Sequence, residues 1–119
     1  MADGFIYHLC TRAEWAQAEA SGHHAGSSQD AADGFIHFST ADQIAASAAR
    51  HRAGQDNLVI VEADAARLGS ALRWERARGG ALFPHLYATL PLACVTRTAQ
   101  LPLGPDGRHA LPWGLGGGS

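Results

Sequence analysis

Three short motifs hold most of the side chains in this sequence that can move a proton or grip a polar ligand. They are Phe5-Ile6-Tyr7-His8, Gly34-Phe35-Ile36-His37-Phe38-Ser39-Thr40 and Phe83-Pro84-His85-Leu86-Tyr87. Each sets one histidine among aromatic and aliphatic neighbours, and imidazole is the side chain whose unperturbed titration lies nearest neutral pH. His8 reads either as a ligand-orienting group or as a core-edge histidine satisfied by a backbone carbonyl. His37 precedes Ser39-Thr40 at the expected mouth of a helix, where amides favour anionic ligand atoms and hydroxyls add hydrogen bonds. Thr40 is equally explained as an ordinary N-cap. Glu75 lies beside Trp74 in a strand-like stretch. It either meets a sugar hydroxyl or activates a nucleophile, with burial raising its pKa toward catalytic use, or pairs with Arg73 or Arg97 on a solvated face. His85 follows Pro84 and, with Tyr87, makes a binding lip or a loop without a role.

Other chemistries find little support. His23-His24, His51 and His109 read as bystanders; the pair at 23–24 has donors for a metal, yet no short H-x₃-H or C-x₂-C spacing supports a structural zinc site. A three-histidine site from His8, His37 and His85 would need tertiary assembly, and no metal is expected. The nine basic residues are all arginine, which excludes Schiff-base chemistry on a lysine side chain. There is no Walker lysine and no Gly-x-Gly-x-x-Gly between a strand and a helix. Cys10 and Cys94 sit far apart in apolar stretches and read as small buried hydrophobes.

The elements that must position these residues follow from pattern. Phe5 to Cys10 is a first strand, and Thr11 with Glu14 forms a capping box that opens a helix ending near Ser21-Gly22. A polar loop covers 23–30, and a second strand runs from Phe35 to Ser39. Thr40 with Gln43 repeats the capping pattern before a helix from Ala41 to about Ala53. Leu58-Val59-Ile60-Val61 marks a central strand within Asn57 to Ala63. Asp64 to Leu68 is a helical turn, Leu72 to Arg76 a fourth strand, and Leu92 to Leu101 a last one. Pro84 argues against a central strand around His85. This order predicts an α+β fold: a single small domain with two main helices around a mixed β-sheet, spanning 1–113. A flexible glycine-rich tail, 114–119, is expected after it.

The totals agree with one domain. A chain of 119 residues with 46% hydrophobic residues can bury roughly two-thirds of its unfolded surface. A net charge of −2 gives no electrostatic reason to expect nucleic acid. The N-terminus does not resemble a signal peptide, and no apolar run approaches the ~18 residues that span a bilayer. A cytoplasmic location is expected, with no membrane partner and no prediction of oligomeric state.

Taken together, Ile6-Tyr7-His8, Asp33-Gly34-Phe35-Ile36-His37-Phe38-Ser39, Leu72-Arg73-Trp74-Glu75 and Phe83-Pro84-His85-Leu86-Tyr87 resemble the DUF952 family of small bacterial proteins, over residues 4 to 100. That family in turn is similar to the ADP-ribosyltransferase-like superfamily, which includes the RNA 2′-phosphotransferases. The resemblance implies a split sheet that binds NAD in its cleft, as a transferase or glycohydrolase substrate. It places His8, Glu75 and His85 in catalytic roles, Glu75 and His85 competing for the third motif position. His37, Ser39, Thr40, Trp74 and Tyr87 would contact the substrate. A non-catalytic module binding a nucleotide or ADP-ribose is the alternative.

Overall fold

The computed structural model describes residues 4–115. Eight strands and three α-helices alternate along it: β1 (Phe5–Thr11), α1 (Arg12–Ser21), β2 (His23–His24), α2 (Ser28–Asp33), β3 (Ile36–His37), α3 (Ile44–His51), β4 (Leu58–Asp64), β5 (Leu72–Arg76), β6 (Leu82–Leu86), β7 (Leu90–Pro91) and β8 (Val95–Leu101). They form an α+β domain built on three small sheets, ordered β1-β4-β8, β2-β7 and β3-β6-β5.

Every strand pair is antiparallel, so the expected mixed sheet is corrected. The strands after α1 and α2 are two residues each and leave the first sheet, pairing instead with late strands β7 and β6. β1 is therefore flanked by β4, which runs back along it from Phe5↔Asp64 to Thr11↔Leu58. One bridge joins the two larger sheets: Tyr7 and Ser39 exchange both backbone hydrogen bonds, each 2.8 Å.

β4 is the central strand that its aliphatic run predicts, buried from Leu58 to Ala63. One of its faces packs Val59, Val61 and Ala63 with Ile6, Cys10, Trp15, Phe38, Leu86 and Leu90. The other packs Leu58 and Ile60 with Tyr7, Leu9, Leu101, and Ile44 and Ala48 of α3. Burial on both sides is what the lack of polar alternation in Leu58–Val61 requires.

Local capping chemistry explains the helices, with two corrections. At α1 the Thr11–Glu14 box forms as expected, with bonds of 2.8 and 3.1 Å. The loop expected at 23–30 instead holds β2 and the start of α2, whose own box is Ser27–Asp30. At α3 the Thr40 box is half made: Gln43 Oε1 accepts from the Thr40 amide, but the Thr40 hydroxyl caps nothing and the helix starts at Ile44. The other end of the Gln43 amide donates to the Leu82 carbonyl at 2.8 Å, tying this helix start to β6.

Pro84 lies inside β6, the central strand of its sheet, against the expectation from its missing N–H. In an antiparallel hydrogen-bonded pair each residue donates and accepts. Phe38 donates to the Pro84 carbonyl at 3.0 Å, and Pro84 cannot return the bond, so regular pairing with β3 stops at His37. On the β5 side Pro84 faces Trp74 at a position that needs no donor. Leu115, assigned to the tail by composition, is buried with Leu111 and Trp113 packed nearby; the rest of the tail, 116–119, and residues 1–3 lie outside the described residues. Among the described residues no helix is long and apolar enough to cross a membrane.

Candidate functional site

The register of β3, β6 and β5 sets His37 opposite His85, His85 opposite Arg73, and Phe83 opposite Glu75. Paired residues share a face, and alternation adds Phe35 and Tyr87 to it. The His85 ring stacks on Phe35 with centroids 4.1 Å apart and meets His37 edge-on at 5.6 Å. Tyr87 lies 5.2 Å from Phe35, with the Arg73 guanidinium 5.0 Å over its ring. Glu75 Oε1 accepts from the Tyr87 hydroxyl at 2.7 Å and from His85 Nδ1 at 2.8 Å.

Those two bonds, Tyr87 first, hold the Glu75 carboxyl below its ordinary range. Raising by burial, the expectation from sequence, is thus corrected, because Glu75 is partly exposed and has two donors. A carboxylate on Nδ1 fixes the tautomer that leaves the lone pair on Nε2, the arrangement of an oriented general base. No described side chain bonds to that Nε2 or to Glu75 Oε2. Beside this cluster lies an open hollow of about 320 Å³, lined by Asp30, Phe35, Tyr87 and the chain from Leu86 to Thr89.

Asp30 links this surface to the interior. Its Oδ1 accepts from His37 Nδ1 at 2.5 Å and from the His37 amide at 3.1 Å, while Oδ2 accepts from the Ser27 amide at 2.7 Å. Burial by itself would raise the Asp30 carboxyl, but the His37 hydrogen bond and the nearby His8 bring it down to about 2. His37 Nε2 faces Asp33 Oδ2 at 3.1 Å, so both ring nitrogens of His37 are engaged.

His8 is on the far side of that link. Its Nδ1 donates to the His37 carbonyl at 2.7 Å and its Nε2 lies 3.0 Å from His24 Nε2. Both rings are 2% exposed. Burial lowers both imidazoles, His24 to about 4. Since the carbonyl can only accept, His8 carries its proton on Nδ1, and His24 donates from Nε2. Cys10, two positions along β1 on the same face, is fully buried, and burial pushes its thiol up to about 12. The donor atoms of His8, Cys10 and His24 all lie within 4.8 Å of one another. This is a donor set able to hold a metal ion, where the sequence offered no metal spacing. The three-histidine set of His8, His37 and His85 is not such a group among the described residues.

Of the eight residues singled out from sequence, the fold gathers His37, Glu75, His85 and Tyr87 on one surface. His8 is sealed beneath it. Ser39 is buried, its hydroxyl 2.8 Å from that of Ser47. Thr40 is half-buried, with its amide on Gln43. Trp74 is exposed on the opposite face of β5, paired with Pro84. In the sequence alone Asp30, Phe35 and Arg73 carry no site role, Cys10 reads as a buried hydrophobe and His24 as a bystander. For Asp30 a signal existed: Ser27-x-x-Asp30 is a capping pattern, hidden inside a stretch that reads as loop.

The description "Protein of unknown function (DUF952)" matches residues 9–98. The crystal structure of protein CC0527 from Caulobacter crescentus is 47% identical, over 94% of this chain and 98% of that one, with a TM-score of 0.89. A double-mutant crystal structure of the same Caulobacter crescentus protein gives 46% identity, the same coverage and a TM-score of 0.89. Its solution NMR structure gives 49% identity over 87% of this chain and 90% of that one, at a TM-score of 0.79. None of the curated proteins matches the chain.

Proposed function

The chain belongs to the DUF952 family, and we propose that it binds a nucleotide on the face shared by β3, β5 and β6, with His85 as the acid–base group of a transfer or hydrolysis. The observation that carries this reading is the Glu75–His85 bond of 2.8 Å. It holds the imidazole in the tautomer that leaves the Nε2 lone pair available. The neighbouring hollow, about 320 Å³, lies at the lower end of the range for small-ligand sites, roughly 300–1,000 Å³. Phe35 and Tyr87 offer aromatic surface to a planar base, and Arg73 offers a charge to a phosphate.

NAD is the first ligand to test, on the strength of the resemblance to ADP-ribosyltransferase-like proteins. In that chemistry the nicotinamide–ribose bond breaks through a sugar with oxocarbenium character. Glu75, held as a carboxylate with Oε2 open, would face the positive charge. His8 takes no direct part in this reading, since its ring is 2% exposed.

The experiment is nicotinamide release from NAD, with His85→Ala and Glu75→Gln as variants. Loss of a positioned acid–base group should cost about 10²–10⁴-fold in rate. Folded variants that keep the full rate overturn the assignment. A second reading, binding without turnover, is favoured by Phe35, whose stack leaves the His85 side chain 8% exposed. It predicts a thermal shift with NAD or ADP-ribose and no product; ligand at ~100 times its Kd adds about 2.7 kcal/mol. No shift with either removes both readings.

A further inference from the structure

We propose that His8, Cys10 and His24 form a buried site for one borderline-soft transition-metal ion, zinc(II) foremost. Two imidazoles and a thiolate are the donors such ions prefer. Alternation along β1 puts His8 and Cys10 on one side of the strand. The α1 turn and the pairing of β2 with β7 bring His24 over them, at a register of His24↔Leu90.

The geometry fits the ion's size. On a tetrahedral zinc with Zn–N bonds of about 2.05 Å, two nitrogens stand roughly 3.3 Å apart. His8 Nε2 and His24 Nε2 are 3.0 Å apart, and one ligand atom from each of His8, His24 and Cys10 lies within 4.8 Å of the other two. Closing that last gap to metal-bonding separation takes a shift of about an ångström at one side chain.

The surroundings match as well. Metal-binding histidines are oriented by a hydrogen bond from their other nitrogen; here His8 Nδ1 donates to the His37 carbonyl at 2.7 Å. Asp30 Oδ2, 3.7 Å from His8 Nε2, supplies a negative charge beside the cation. The simpler account, an N–H···N bond between two histidines, explains their separation. It leaves the Cys10 thiol, near those two imidazoles, with no hydrogen bond of its own among the described residues. On binding, the thiol releases its proton to solvent, His24 moves its proton from Nε2 to Nδ1, and three lone pairs face the ion. This site does not rest on the surface reading above, since none of its three ligands lies on that surface; Asp30, which also lines the hollow, is the side chain the two share.

Cobalt(II) in place of zinc makes the test spectroscopic. One equivalent added to the purified full chain should produce visible ligand-field bands of a low-coordinate ion and a near-ultraviolet sulfur-to-cobalt band. Zinc should bleach both and raise the Tm by several degrees. Cys10→Ser should erase the sulfur-to-cobalt band, and His24→Gln should weaken binding at least tenfold, while exposed His23→Ala changes neither. Near-ultraviolet circular dichroism establishes that each variant is folded; if Cys10→Ser does not fold, His24→Gln decides. Absence of the bands in the wild-type protein overturns the proposal, as do unchanged bands and affinity in folded Cys10→Ser or His24→Gln.

Discussion

Alanine at Gly26 should destabilise the protein far more than alanine at Gly34, although both glycines have positive φ, +98° and +87°. At Gly34, the cap of α2, an added Cβ meets nothing within 4 Å. The left-handed backbone costs an L-residue about 1–2 kcal/mol, and the lost freedom of the unfolded chain returns roughly 0.4–1 kcal/mol. The net loss there is about 1 kcal/mol. At Gly26 the same Cβ would lie 2.8 Å from Asp30 Cβ, 2.9 Å from Asp30 Oδ2 and 3.1 Å from Ile36 Cγ1. Asp30 is 3% exposed and held by Ser27 and His37, and Ile36 is 2% exposed, so neither can swing clear. Overpacking of this kind adds about 1–3 kcal/mol.

Urea denaturation of both variants beside the wild-type protein measures the difference. Gly26→Ala should lose about 2–4 kcal/mol in all, with an unchanged m-value. Hydrogen exchange gives a second readout, because displacing Asp30 lengthens its bond to the His37 amide, now 3.1 Å. That amide should exchange faster in Gly26→Ala and not in Gly34→Ala. Equal losses for the two variants would refute the idea that Asp30 is pinned against Gly26.

Glu62 should govern part of the acid limb of stability. Burial would raise its carboxyl, but bonds from Arg97, Thr96 and Tyr7 hold it below the ordinary value of 4.5. Its contribution is therefore present above pH 4.5 and disappears as pH falls through the lower folded value. Denaturant titrations should show Glu62→Gln less stable than wild type at pH 7, the gap narrowing below pH 4.5; a gap constant with pH contradicts this. Trp15→Phe should be mild, within about 1 kcal/mol, because the indole Nε1 is buried without a hydrogen-bond partner among the described residues and its removal relieves an unmet donor. A loss above about 3 kcal/mol, read from thermal melts, would mean that packing of the larger ring dominates.

Only part of the candidate surface was legible in the sequence. Alternation sets Phe35 beside His37 and Arg73 beside Glu75 within their own strands, but His85 and Tyr87, expected on a proline-bent loop, join that face only because Leu82–Leu86 forms a strand. What could not be read was which strands are adjacent. Leu72–Arg76 and Leu82–Leu86 pair with each other and with Ile36–His37, and nothing in their composition names that partner. Two-residue strands such as His23–His24 carry too few residues for any periodic signal. They exist only because late segments run past them and meet their backbone groups.

The residues themselves determined the aliphatic centre of β4, the box at Thr11–Glu14, the burial of both cysteines and the chemistry of each histidine motif. Each follows from side-chain type and nearest neighbours. Tertiary structure alone decided that His8 faces inward to His24 and Cys10, that Asp30 joins the interior to the surface, and that Pro84 sits mid-sheet. Those outcomes depend on contacts between segments far apart in the chain. The free energy of such contacts comes from burial and hydrogen-bond geometry created only when the sheets close on one another.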